Sequence, residues 1–131
     1  MGKKNDAVNH PAHYTQGGIE CIEAMEVYFE KEAVEHYCLL NAWKYIWRYR
    51  DKGKPEEDLK KAAWYLNHYL GLNKTYPCFK PKSDKDEVKP IVYLVEKAKQ
   101  AMILSQGWNT TRIDDAWRYL KQAIYQMTGE K

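Results

Sequence analysis

Three basic side chains, Lys44, Arg48 and Lys61, have the types and spacing to do chemistry together. They lie in the stretch Asn41 to Leu70, NAWKYIWRYRDKGKPEEDLKKAAWYLNHYL, which reads as two helices joined by a tight turn. At about 100° per residue, Asn41, Lys44, Tyr45 and Arg48 share one side of the first helix, and Lys52 continues their line. By the same arithmetic Asp58, Lys61, Ala62, Tyr65 and Tyr69 share one side of the second. The rest of the first helix is apolar: Leu39, Leu40, Ala42, Trp43, Ile46 and Trp47. A narrow stripe of amide, amine, phenol and guanidinium on a helix otherwise built for burial suits the wall of a pocket for an anion.

Each group brings a definite capacity. Lys44, Arg48 and Lys61 could hold phosphate oxygens, the arginine with a planar fork and the lysines as point charges. Tyr14, Tyr45 and Tyr65 could stack on a base or bond a sugar. Asn41 could read a base edge. Asp58 could orient a lysine, accept from a sugar hydroxyl or hold a magnesium ion. The structural alternative is an internal salt bridge from Asp58 to Lys44 or Arg48 that locks the two helices together. Residue types alone leave both readings open.

The string Asn9-His10-Pro11-Ala12-His13-Tyr14 is a second candidate. Pro11 drives His10 away from helical angles, so a rigid extended or turn segment is expected. It is either a turn whose rings pack on the helices or a flap that brings imidazole and phenol over the pocket. The H-x-x-H spacing lacks the further ligands of a metal shell, and no metal site is expected there. Glu20, Glu23 and Glu26 form overlapping E-x-x-E pairs, the spacing with which all-helical nucleotide pyrophosphohydrolases hold magnesium. The matching E-x-x-D on a later helix is missing, which favours a solvated acidic face.

Other machinery is absent from the sequence. There is no G-x-x-x-x-G-K-[ST], no G-x-G-x-x-G and no G-x-S-x-G, so a P-loop, a Rossmann phosphate cradle and a nucleophile elbow are excluded. His36 and Cys38 are close in sequence, but side chains two apart on a helix diverge.

The elements that must position these groups follow from periodicity and punctuation. The spacing predicts a first helix over 18–30, with Ile19, Ile22, Met25 (or Glu26) and Phe29 recurring on one face. A second spans 32–50 and stops at Gly53. Pro55 opens the third, with Glu56, Glu57 and Asp58 on its positive end. It runs to Leu70, with Gly71 as its stop and Leu59, Ala63, Leu66 and Leu70 as its core stripe. Residues 74–89, with Pro77, Pro81 and a charged run, read as a linker. Two more helices are expected, about 90–105 and 111–128, the last capped by Thr110 or Thr111. The expected fold is all-α with about five helices: an N-terminal loop plus three-helix unit over 1–73, then a helical hairpin over 90–131. That hairpin packs in the same domain or serves an oligomer interface.

Composition narrows the classes. The chain has 131 residues, enough for one domain, with 21 basic and 18 acidic residues and a net charge of +3. That mild excess does not point to duplex DNA. Eleven Tyr and 5 Trp stand against 2 Phe, a preference for rings that pack and hydrogen-bond at once and that favour self-association. Cys21, Cys38 and Cys78 are dispersed and odd in number, which suits a reducing cytosol. The start of the chain does not read as a secretory signal, and no apolar run approaches the roughly 20 residues of a membrane span.

Four blocks stand in a telling order: N-H-P-A-H-Y (9–14), G-G-I-E-C-I (17–22), N-A-W-K-Y-I-W-R-Y-R-D-K-G (41–53) and E-D-L-K-K-A-A-W-Y-L (57–66). Together they resemble a family of small phage proteins of unknown function that includes the early nucleotide kinase of T-odd coliphage. The resemblance covers about residues 8–70. It implies a helical, cytoplasmic protein of the infected host that handles nucleotides without a P-loop, transfers phosphate to (deoxy)nucleoside monophosphates, and forms homo-oligomers; magnesium is the one cofactor expected, arriving with the nucleotide. The family's motif positions fall here on His10, Pro11, His13, Tyr14, Gly17, Gly18, Glu20, Asn41, Lys44, Tyr45, Arg48, Lys52, Asp58, Lys61, Tyr65 and Leu66. Leu40 replaces a glycine frequent in the family, which would crowd a ligand needing close backbone approach. Of this set, His10, His13, Tyr14, Asn41, Lys44, Tyr45, Arg48, Asp58, Lys61 and Tyr65 are the expected nucleotide contacts. The alternatives are a binder of nucleotides or cyclic-nucleotide defence signals without turnover, and a host-protein interaction module.

Overall fold

The computed structural model describes residues 15–16, 19–51, 53–77, 79–80, 88–105 and 109–129. Among the described residues five helices carry the fold: α1 (Cys21–Tyr28), α2 (Lys31–Arg48), α3 (Pro55–Leu72), α4 (Ile91–Leu104) and α5 (Thr110–Thr128). Two short strands, β1 (Thr15–Gln16) and β2 (Ile19–Glu20), pair antiparallel with Thr15 opposite Glu20. The fold is all-α apart from that ladder. Helix α2 packs along α3, α4 along α5, and α3 against α5, which joins the two hairpins in one core.

The core follows the helical periodicity. Leu39, Ala42 and Ile46 of α2 meet Leu59, Ala62, Ala63, Leu66 and Leu70 of α3. Leu94, Val95 and Ala98 of α4 meet Ile113, Ala116, Leu120 and Ile124 of α5. Alanines on each helix let the axes approach closely, while the leucines and isoleucines fill the space between. Phe79, from the segment expected to be a linker, joins this core edge-on to Trp117, with ring centroids 6.5 Å apart. Phe79 therefore belongs to the core of the second hairpin.

Several boundaries differ from expectation, each for a local reason. Helix α1 starts at Cys21 because Ile19 and Glu20 are taken up by strand pairing. Glu20 N–H then donates to the Glu23 carboxylate at 3.1 Å in a capping box. The helix ends at Tyr28, so Phe29 lies beyond it, extended and exposed. Helix α2 ends at Arg48, not Arg50, and Gly53 sits in the following turn at φ 71°. Gly71 does not stop α3, which continues to Leu72. The stop is made by Asn73, whose side-chain amide donates to Tyr69 O at 2.9 Å, and by Lys74 at φ 60°. Helix α5 is capped by Asn109, one residue before the expected threonines, its Oδ1 accepting from the N–H groups of Thr111 at 2.8 Å and Arg112 at 3.3 Å. Asparagine is a stronger N-cap than threonine.

Among the described residues no helix is long and apolar enough to cross a membrane. Replacing Asn109 by Ala should lower stability by about 1 kcal/mol through the lost cap, read as a shift in the urea midpoint with an unchanged slope. Thr110→Ala should shift it far less.

Candidate functional site

The α2–α3 hairpin brings two tyrosines face to face. Tyr45 (6% exposed) and Tyr65 (7% exposed) lie with ring centroids 6.1 Å apart and planes 11° from parallel. Tyr37 meets Tyr65 edge-on at 5.8 Å, and Trp64 meets it edge-on at 5.1 Å. The stack is an interior feature. The sequence offered Tyr45 and Tyr65, with Tyr14, for stacking on a base or bonding a sugar. The structure instead makes them a floor, because each ring is buried between the helices.

Three cations converge on that floor. Lys44 Nζ and Arg48 Cζ each lie 4.8 Å from the centroid of the Tyr45 ring, and Lys61 Nζ lies 5.4 Å from it. A ring's quadrupole attracts a nearby cation by about 0.5–2 kcal/mol. Gathering three like charges on one ring works against that gain, since each repels the others. Such crowding is stable where counter-charge is near, and an anionic ligand supplies it well.

Asp58 supplies part of that counter-charge from below. It is 4% exposed, and its Oδ2 lies 3.9 Å from Arg48 Nε. That distance is a charge contact, too long for a hydrogen bond. Arg48 Nε and Asp58 Oδ2 are both buried, and neither has a hydrogen-bond partner among the described residues. Arg48 therefore turns its inner nitrogen towards Asp58 while the side chain as a whole stays a third exposed. The salt-bridge reading and the ligand reading are thus compatible: Asp58 faces the inner nitrogen of a guanidinium whose side chain still reaches the surface. Lys61 Nζ is 3.4 Å from Glu57 Oε2. Three cations against the carboxylates of Asp58 and Glu57 leave the cluster with an excess of positive charge.

The remaining expected residues fall in different places. Asn41 donates one side-chain N–H to Tyr37 O at 2.8 Å, which ties the amide to the preceding turn of its own helix. Leu40 is exposed on the outer face of α2 with Trp47. His10, His13, Tyr14 and Lys52 lie outside the described residues. Of the glutamates, Glu23 caps α1, and Glu26 Oε2 is 2.6 Å from His68 Nε2, whose ring stacks on Trp64. Among the described residues no group of three or more His, Cys, Asp or Glu could hold a metal ion. Cys38 is fully buried, and its thiol is pushed up to about 12, mainly by burial and then by Glu26 and Glu35. It stays protonated at neutral pH and is no nucleophile. The sequence reading missed Glu57, Trp64 and His68. The i,i+4 spacings Glu57–Lys61 and Trp64–His68 were the signals for them.

What these groups define is a helical hairpin bearing a basic, aromatic-floored site without a glycine-rich phosphate loop. Residues 8–67 match DUF3310, a family described as a protein of unknown function, and the whole Lys44–Tyr65 cluster lies inside the match. No curated protein and no solved structure matches the chain.

Asp58→Ala should destabilise the protein by about 2 kcal/mol, since it leaves a partly buried guanidinium without its counter-charge. Asp58→Asn should cost less. Urea unfolding of both variants checks the order, and equal losses would contradict the charge argument.

Proposed function

We propose that the chain binds nucleotide phosphates at Lys44, Arg48 and Lys61 and transfers a phosphoryl group there, in the manner of a nucleoside monophosphate kinase without a P-loop. The observation that carries this reading is the convergence of three cations on the Tyr45 ring. Phosphoryl transfer asks mainly for positioning and charge neutralisation. An oxygen of the acceptor monophosphate attacks the γ-phosphorus of the donor triphosphate, the bond to the β,γ-bridging oxygen breaks, and two diphosphates leave. The attacking oxygen is already anionic at neutral pH, so no general base is needed. That fits a site rich in cations and poor in free acids and bases. Magnesium would arrive with the triphosphate, because Asp58 beside a guanidinium lacks the companion oxygens for a protein-held ion.

One observation favours a second reading, sequestration without turnover. Asp58 is buried and faces Arg48, so the cluster's inner carboxylate is committed to holding the site. A coupled assay with nucleoside monophosphate, triphosphate donor and magnesium separates the two. Diphosphate should form, and Lys44→Ala or Arg48→Ala should slow it by about 10- to 100-fold. Nucleotides bound but recovered intact across a donor panel would leave sequestration standing. No binding of mono-, tri- or cyclic nucleotides by calorimetry would end both readings and favour a host-protein interaction module. Phage origin and work in the host cytoplasm rest on the four-block resemblance alone.

Self-association belongs to the same proposal. Leu40 (61% exposed) and Trp47 (66% exposed) stand out on α2, where Trp43 stacks on Trp47, and Ile103 stands out on α4. Lys99, over the Trp47 ring at 5.3 Å, pairs with Glu96, and Arg50 and Asp51 lie beside them. A rim with both signs in equal number suits a second copy better than a polyanion. Sedimentation velocity should show a multimer that Trp47→Glu dissociates. A monomeric native chain at 100-micromolar order of concentration would refute this.

A further inference from the structure

The corner between α1 and α2 turns three consecutive large apolar side chains to water: Val27, Tyr28 and Phe29 are 71%, 77% and 65% exposed. Exposed apolar residues scattered singly are ordinary, whereas several together mark a contact surface. The corner is held in place. Phe29 N–H donates to Met25 O at 2.9 Å, and Val34 N–H donates to Glu30 O at 3.3 Å. Ile22 anchors α1 in the core, and Glu26 meets His68 of α3. A tip fixed in advance loses little freedom on binding. The tip is also acidic. Lys31 is paired with Glu35 at 3.6 Å, whereas Glu30 and Glu32 are exposed and have no ion-pair partner among the described residues.

A surface of the opposite sign lies further along α2. Leu40, Lys44 and Trp47 are all exposed, and they fall within about 60° of one another around the helix. Lys44 lies over the Tyr45 ring and has no carboxylate partner among the described residues. An ammonium between two apolar side chains complements a tip in which carboxylates follow two aromatic rings. Tip and stripe of one copy are kept apart, because α2 runs unbroken from Lys31 to Arg48 and sets Glu32 about 18 Å from Lys44 along its axis. What covers either surface must therefore come from another molecule, and a second copy of this chain carries the complement of both.

We propose that the α1–α2 tip of one copy docks on the Leu40–Lys44–Trp47 stripe of the next. Tyr28 and Phe29 cover Leu40 and Trp47, and Glu30 and Glu32 meet Lys44. The contact rests on the self-association inferred above and names its two faces. Because the faces are unlike, copies join head to tail and either close into a ring or run on as a chain. The Lys44 edge of the cation cluster then lies at the seam between copies, with a neighbour's carboxylates beside it.

Sedimentation velocity of the full chain and its variants, at concentrations on the order of 100 micromolar, tests this. The native chain should be a multimer. Tyr28→Ser together with Phe29→Ser should reduce it to a monomer, as should Trp47→Glu, and circular dichroism should show both variants folded, since all three positions are exposed. Mixing the two variants should give a 1:1 dimer and nothing larger, because an intact tip then meets one intact stripe. Glu30→Lys together with Glu32→Lys, which leaves the apolar residues in place, should weaken assembly about tenfold. Adding Lys44→Glu to that chain should recover most of the loss. A native monomer would overturn this contact together with self-association as a whole. A multimer that survives the loss of Tyr28 and Phe29 would overturn it and leave stripe-to-stripe pairing in its place. Variants that stay monomeric on mixing, or a charge reversal without effect on assembly, would also overturn it.

Discussion

The contact between α2 and α3 governs the rest of this structure, and the Tyr45–Tyr65 stack is its centre. Two large rings packed nearly parallel between helices fix how the helices sit along and around each other. That placement sets Lys61 of one helix and Lys44 and Arg48 of the other around the same ring. It also buries Asp58 next to Arg48. A change that slid one helix along the other would disperse the cations and strand the carboxylate together. Stability and site are therefore coupled through one interface.

Electrostatics at that interface are incompletely balanced. Asp58 is close enough to Arg48 to stabilise its charge, yet not hydrogen-bonded to it, and both atoms are buried. A protein selected for stability alone would close such a pair or replace it with apolar groups, since a buried ion pair is a poor source of net stability. The Tyr45 ring softens the repulsion among the cations without neutralising them, which keeps their charge available to a ligand.

The second hairpin adds more than bulk. Helix α5 buries Ile113, Ala116, Leu120 and Ile124 and lies against α3. It thus supports the helix that carries Asp58, Lys61 and Tyr65. Phe79, from the connecting segment, joins the same core. The matched segment, residues 8–67, ends before this support begins.

By itself the sequence determined the helix count, the apolar stripes, and the placing of Lys44 with Arg48 and of Asp58 with Lys61 on one side of their own helices. These are local properties: a 3.6-residue period and the signs of charged groups can be read without knowing what lies across the gap. It also contained the helix stops, though not which residue would win. Gly71 has the backbone freedom to end a helix, but Asn73 and Lys74 end it, and Asn109 displaces two threonines as a cap, because hydrogen bonds to particular backbone groups decide such contests. Only the tertiary structure decided that Tyr45 and Tyr65 stack on each other, that Glu26 meets His68, and that Phe79 belongs to the core. Those outcomes depend on which surfaces meet across 20 or more residues of chain. Burial is a property of such meetings and not of any residue alone.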